Sequence, residues 1–252
     1  MKKLLVANWK MNPGTPKEAL GLFGDIISNK DLSGVDLAIA APFVYLTILH
    51  KSNPKIKLGA QNVFWEDGGS FTGEVSPVML KSVGVSYVII GHSERRIKIG
   101  ETDEMVNKKI WAALAAGLKV VLCVGEPSNV REKGISVAKQ YVKNQLLRDL
   151  RGIPSSRLQI PDSLIVAYEP VWAIGTGVPD GPEGAQEMIV YIRKIINTKH
   201  ITQSTKVLYG GSVNGKNAAS FLKYKDIDGA LIGGASLNRK EFNKIIKNVS
   251  GL

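Results

Sequence analysis

Glu169 ends the apolar run Leu164-Ile165-Val166-Ala167-Tyr168 and is followed by Pro170-Val171-Trp172-Ala173-Ile174-Gly175-Thr176-Gly177. A carboxylate at the end of a buried strand, then an aliphatic segment with a Gly-rich stop, is what a general base beside a water-excluding lid requires. The ends of other apolar runs supply complementary groups. Asn8 and Lys10 follow the first run, Gln61-Asn62 the third, Gly91-His92-Ser93-Glu94 the fourth and Glu126 the fifth. Gly210-Gly211-Ser212 follows the seventh and Gly233-Gly234 the eighth.

Removing a proton next to a carbonyl needs a base and an electrophile on either side of a planar intermediate. A carboxylate suits the first task, because desolvation under a lid raises its basicity. A neutral imidazole suits the second, and a helix N-terminus after Ser93 favours that neutral form. Glycine lets the backbone approach an anion closely and present N–H donors. Two Gly pairs after consecutive strands, each before a helix, read as a phosphate site.

Each residue also has a plainer reading. Lys10 alone is a surface charge, but beside Trp9 at a strand end it reads as substrate-binding. His50 and His200 read as structural or exposed. Glu94 precedes Arg95-Arg96, so an ion pair there is its default. Cys123 lies mid-strand as a small buried hydrophobe, not a nucleophile. Trp172 suits a lid better than a core.

The runs that must position these groups are Leu4–Asn8, Asp36–Ala41, Ile56–Asn62, Tyr87–Gly91, Lys119–Val124, Leu164–Glu169, Val207–Gly210 and Gly229–Ile232. Most are nearly continuously apolar, as strands covered on both faces are. Helical patterns alternate with them. One opens at Thr15-Pro16-Lys17-Glu18 with capping-box spacing, another at Ser76-Pro77, and a third runs from Thr102 to Ala116 before Gly117. Val137–Leu150, Pro182–Asn197, Lys216–Leu222 and Arg239–Asn248 complete the set. Eight such repeats in 252 residues predict a (β/α)8 barrel spanning residues 1–252 as a single domain. A doubly wound sheet is the competitor. Its Gly-rich dinucleotide turn is missing, because the first turn is Asn8-Trp9-Lys10-Met11-Asn12.

The net charge of +11 suits nucleic acid, anionic lipid or a phosphorylated metabolite. The Lys and Arg residues are scattered, with no basic run interleaved with aromatics, which argues against nucleic acid. The single cysteine allows no intrachain disulfide and fits a reducing cytosol. The opening apolar run stops at Asn8, too short for a signal peptide, and no stretch approaches the roughly 20 apolar residues of a membrane span. A soluble, cytoplasmic protein is expected.

With these residues in place the chain resembles the triosephosphate isomerase family along nearly its whole length. The matching segments are Asn8–Asn12, Gly73–Ser76, Gly91–Arg96, Ala167–Gly177, Tyr209–Val213 and Gly233–Leu237. The resemblance implies interconversion of dihydroxyacetone phosphate and glyceraldehyde 3-phosphate without metal or organic cofactor. It implies Glu169 as base, His92 as electrophile, and Asn8 and Lys10 at the substrate, Lys10 holding the enediolate charge. It further implies Glu94 as an auxiliary acid–base residue, Gly175, Ser212, Gly233 and Gly234 around the phosphate, and Tyr209 latching the lid. A loop over residues 62–75, carrying Phe64, Trp65 and Phe71, is implied to dock into a second copy through Thr72, with Glu74 and Arg95 pairing nearby, giving a homodimer. Another phosphate-binding barrel isomerase and a non-catalytic basic binding protein are the alternative readings.

The lid's far hinge departs from the family pattern, with Val178-Pro179-Asp180 where a Lys-Thr-Ala-like sequence is common. Proline fixes φ near −65°, so restricted hinge motion is expected.

Overall fold

A computed structural model describes residues 2–158, 160–173, 181–198 and 205–252. Eight strands, β1 (Lys3–Asn8), β2 (Val35–Ala40), β3 (Lys57–Ala60), β4 (Val85–Ile90), β5 (Lys119–Val124), β6 (Leu164–Tyr168), β7 (Lys206–Tyr209) and β8 (Gly229–Ile232), form a closed barrel. Every neighbouring pair is parallel, and β8 closes on β1 with Leu5 opposite Ala230. The helices are α1 (Pro16–Ile27), α2 (Phe43–Ser52), α3 (Pro77–Ser82), α4 (Ser93–Lys98), α5 (Asp103–Ala115), α6 (Ser128–Arg131), α7 (Ile135–Asp149), α8 (Ser155–Leu158), α9 (Pro182–Thr198), α10 (Ala218–Leu222) and α11 (Arg239–Val249).

Side-chain alternation along the strands divides the core into two layers. Leu4, Val6, Ala38, Ala40, Ile89 and Val121 belong to the cluster inside the barrel. Their strand neighbours Leu5, Ala7, Ile39, Val88 and Val120 pack outward with helix residues such as Phe23, Leu46, Ile110 and Ile189. Both faces are therefore covered, which explains the continuous apolar runs.

Thr15 makes the expected capping box with Glu18, and Ser76 and Thr102 cap α3 and α5. The third run was expected to reach Asn62, but β3 stops at Ala60. Gln61, the next residue, donates its side-chain amide to the carbonyls of Lys10 at 2.8 Å and Ala40 at 2.9 Å. Ile174, Gly175, Thr176, Gly177 and the hinge Val178-Pro179-Asp180 lie outside the described residues. Among the described residues no helix is long and apolar enough to cross a membrane, and no cluster of three or more His, Cys, Asp or Glu is arranged to hold a metal ion.

Candidate active site

The ends of β1, β4, β6, β7 and β8 border one cavity of about 340 Å³, lined by Asn8, Lys10, His92, Glu169, Gly210 to Asn214, Leu231 and Gly233 to Ala235. Five turns build it.

After β1 the chain bends sharply, and Lys10 takes φ 52°, a left-handed conformation costly for a side chain with a Cβ. Two hydrogen bonds hold it there: its N–H donates to Asn8 Oδ1 at 3.0 Å, and its carbonyl accepts from Gln61. The bend turns the Lys10 side chain back over the barrel mouth, where Nζ donates to Glu94 Oε1 at 2.6 Å. Burial favours the protonated Glu94 carboxyl, but the Lys10 hydrogen bond and the surrounding positive charge outweigh it and hold Glu94 below its ordinary value of 4.5. Glu94 thus pairs with Lys10, not with Arg95 or Arg96 as its sequence neighbours suggest.

After β4, Gly91 at φ 71° makes the turn that a Cβ would obstruct. His92 then caps α4, its Nδ1 accepting the Glu94 backbone N–H at 3.2 Å. An accepting Nδ1 carries no proton, so the ring is neutral and its hydrogen sits on Nε2. Arg96 fastens this turn: Nε donates to the Gly91 carbonyl at 2.6 Å, while its terminal nitrogens meet Asp103 and Asp149, each at 2.7 Å.

Glu169, 2% exposed, directly follows β6. Its Oε2 accepts the Ser93 backbone N–H at 2.8 Å, and its Oε1 stands 3.0 Å from His92 Nε2. That approach forms no hydrogen bond, and Oε1 has no donor among the described residues. Base and electrophile are therefore adjacent, with one carboxylate oxygen anchored and the other unengaged. Behind them lies Cys123, whose thiol is pushed well above its ordinary value of 9.0 by burial and then by the Glu169 charge, so it is no nucleophile.

The Gly pairs bring backbone to the opposite wall. A Cβ at Gly210 would stand 2.9 Å from Glu169 Cγ, and one at Gly233 would stand 3.0 Å from Lys10 Cε. Gly234 opens a single 3-10 turn, Gly234–Leu237, after β8. Ser212 Oγ donates to the Ala173 carbonyl at 2.9 Å, tying this wall to the start of the lid. Pro170 leads into the 3-10 turn Val171–Ala173, in which Trp172 Nε1 donates to Glu126 at 3.1 Å.

Two expected placements need correction. Trp9 is fully buried in the layer between strands and helices and does not line the cavity, because strand alternation turns it outward. Glu126, at the end of β5, is also wholly buried: it accepts from Tyr168 Oη at 3.1 Å and anchors Trp172 instead of facing the cavity. Within the chain Arg95 pairs with Glu101 at 3.1 Å. Tyr209 is fully buried, stacked on Phe221 at 4.3 Å with its hydroxyl beneath Gly211. Thr72 and Glu74 are both exposed.

Sequence reasoning missed Leu231 in the cavity wall and Arg96 as the fastener of the His92 turn. Leu231 carried no signal beyond its place in β8. Arg96 had one, since an arginine four residues beyond a strand-end histidine reaches back over a single helical turn.

Comparison with known proteins agrees with this geometry. The family model described as triosephosphate isomerase matches residues 3–249. A triosephosphate isomerase of Carboxydothermus hydrogenoformans is 45% identical over 252 residues, covering 98% of each chain. One from Alkaliphilus oremlandii is 43% identical over 250 residues, covering 97% of this chain and 98% of its own. One from Dictyoglomus thermophilum is 42% identical over 253 residues, covering 98% and 99%. With matches of this identity over nearly the whole length, on a closed eight-stranded barrel, the chain belongs to the triosephosphate isomerase family.

Proposed function

We propose that the chain interconverts dihydroxyacetone phosphate and D-glyceraldehyde 3-phosphate through an enediolate, with Glu169 as base and His92 as electrophile. The observation that carries this reading is the 3.0 Å approach of Glu169 Oε1 to His92 Nε2 beside Lys10 in one cavity. Glu169 Oε1 takes a proton from one of the two carbons of the substrate and returns it to the other. His92 Nε2–H donates to the oxygen on which negative charge develops, and Lys10 Nζ, held by Glu94, stabilises the same charge. Asn8 holds Lys10 in place and faces the substrate. Ser212, Gly233 and Gly234 receive the phosphate through the backbone, and Gly175 joins them from the lid that begins at Pro170 and Val171. Closing that lid excludes water from an intermediate that would otherwise lose its phosphate.

The working form is a homodimer in the cytoplasm. Met11, Phe43, Val44, Phe71, Val78 and Met79 are exposed large apolar residues on the segments after β1, β2 and β3. Such a concentration on one flank suits a second copy, with Thr72, Glu74 and Arg95 at the contact.

The direct test is isomerisation in deuterium oxide followed by NMR. Starting from dihydroxyacetone phosphate, glyceraldehyde 3-phosphate should form with deuterium at C2, and recovered substrate should carry deuterium at C1. Interconversion with no deuterium at either carbon would contradict proton transfer through an exchangeable carboxyl group, and no interconversion would contradict the reading itself.

A further inference from the structure

The opposite pole of the barrel holds a larger cleft that the isomerase reading leaves without a role. It measures about 870 Å³, within the ~300–1,000 Å³ of small-molecule sites. Six cations line it, Lys2, Lys3, Arg193, Lys206, Lys223 and Lys225, against the carboxylates Asp162 and Asp228. Lys2 and Lys3 open β1, Lys206 opens β7, and Lys223 and Lys225 lie between α10 and β8. These are all N-terminal strand ends, the pole of a (β/α)8 barrel that normally serves stability.

The two carboxylates are already engaged. Asp228 pairs with Arg193 and accepts the Val207 N–H at 2.7 Å, while Asp162 pairs with Lys206 at 2.8 Å and Lys119 at 3.5 Å. Lys3 is turned inward, donating to the carbonyls of Tyr224 at 3.1 Å and Ile227 at 2.7 Å. Burial, only partly offset by Asp228, holds its ammonium below the ordinary value of 10.5. Lys2, Lys223 and Lys225 are exposed and make no ion pair among the described residues; Lys223 lies over the Tyr224 ring at 5.2 Å. Six cations against two carboxylates that are already paired leave the concavity a net positive field.

We propose that this cleft binds a polyphosphate anion, either a bare chain of condensed phosphates or the triphosphate of a nucleotide. Lys2, Lys223 and Lys225 make the contacts, and Lys3, Arg193 and Lys206 form a positive floor. A monophosphate engages one or two ammonium groups, whereas three unpaired lysines around one concavity match several linked phosphates. Nucleic acid fits less well, because among the described residues no aromatic side chain lines the cleft as a stacking platform.

The test is titration calorimetry of the full chain with inorganic tripolyphosphate and, separately, ATP. Three variants accompany the parent: Lys2→Gln/Lys223→Gln/Lys225→Gln in the cleft, Lys17→Gln/Lys51→Gln/Lys55→Gln elsewhere on the surface, and Lys10→Met at the isomerase cavity. Saturable binding should weaken about ten-fold or more in the cleft variant and within about two-fold in the others, with isomerase turnover of the cleft variant unchanged. The tighter of the two ligands identifies the source of the polyphosphate. Equal weakening in the surface variant would reduce the effect to net charge, and loss in Lys10→Met alone would place the anion in the isomerase cavity. Either outcome overturns the proposal, as does the absence of saturable binding.

Discussion

Ser93 and Glu169, 76 positions apart, are joined by a backbone N–H to Oε2 hydrogen bond of 2.8 Å. The donor is the first residue of α4, and the cap of that helix is His92. One helical turn therefore orients both the base and the electrophile, and the neutral state of the imidazole and the aim of the carboxylate have the same structural origin.

Ser93→Pro removes that donor and sets the ring Cδ where the N–H points, so the Glu169 carboxylate must also shift. Proline is accepted at the first position of a helix, and His92 at φ −53° and ψ 139° already has the conformation a following proline demands. The first turn of α4 should still form, while kcat falls by at least the roughly 10–100-fold expected for a hydrogen bond to a charged group. Steady-state kinetics beside a thermal melt separates the two effects. A kcat equal to that of the parent would show that the Ser93 N–H does not matter to the base.

Lys10 and Glu94 should divide in their effects. Lys10→Met removes the cation facing the developing negative charge, and kcat/KM should fall about 10²–10³-fold or more. Glu94→Gln keeps a hydrogen-bond acceptor for Lys10, and its loss should stay near ten-fold or below. Because Glu94 is held below 4.5, it is ionised throughout the neutral range, and Glu94→Gln should leave the pH–rate profile near neutrality unshifted. A moved limb in that profile would assign Glu94 a proton-transfer step of its own.

Glu101 governs acid stability. Burial favours its protonated form, but Lys109 and Arg95 both donate to Oε1 and together hold it below 4.5. Lys109 shares that single carboxylate with Arg95, so at Lys109 burial prevails and its pKa is lowered. A lowered folded-state carboxyl contributes stability above its unfolded value and loses it as pH falls through the folded one. Glu101→Gln should therefore cost about 3–5 kcal/mol at neutral pH, the effect of breaking a buried pair. The gap should begin to close as pH falls below 4.5. Urea denaturation of both proteins across a pH series checks this, and a pH-independent gap would contradict it.

Much of this site was readable because strand ends announce themselves. Apolar runs covered on both faces stop abruptly at Asn8, Gly91 and Glu169, and a parallel barrel brings those stops to one pole. What the runs do not encode is direction at a single residue. Trp9 was grouped with its neighbour Lys10, yet Lys10 leaves the strand geometry at φ 52° and Trp9 does not. Glu126 ends a strand as Glu169 does, but Tyr168 and Trp172 reach its carboxylate and take it out of the cavity. Glu94 was set against its sequence neighbours, although α4 carries Arg96 back to Gly91 and leaves Glu94 to Lys10. Such choices depend on contacts between distant segments.

The central claim is that the Glu169 carboxylate moves the proton, and Glu169→Gln tests it most directly. The amide oxygen can still accept from Ser93 and fill the same space, but it has no basicity. Steady-state kinetics with glyceraldehyde 3-phosphate should show kcat reduced about 10²–10⁴-fold with KM little changed, as expected for loss of a general base. A variant turning over within about three-fold of the parent would contradict the assignment, because the reaction would then run without the group placed at its centre.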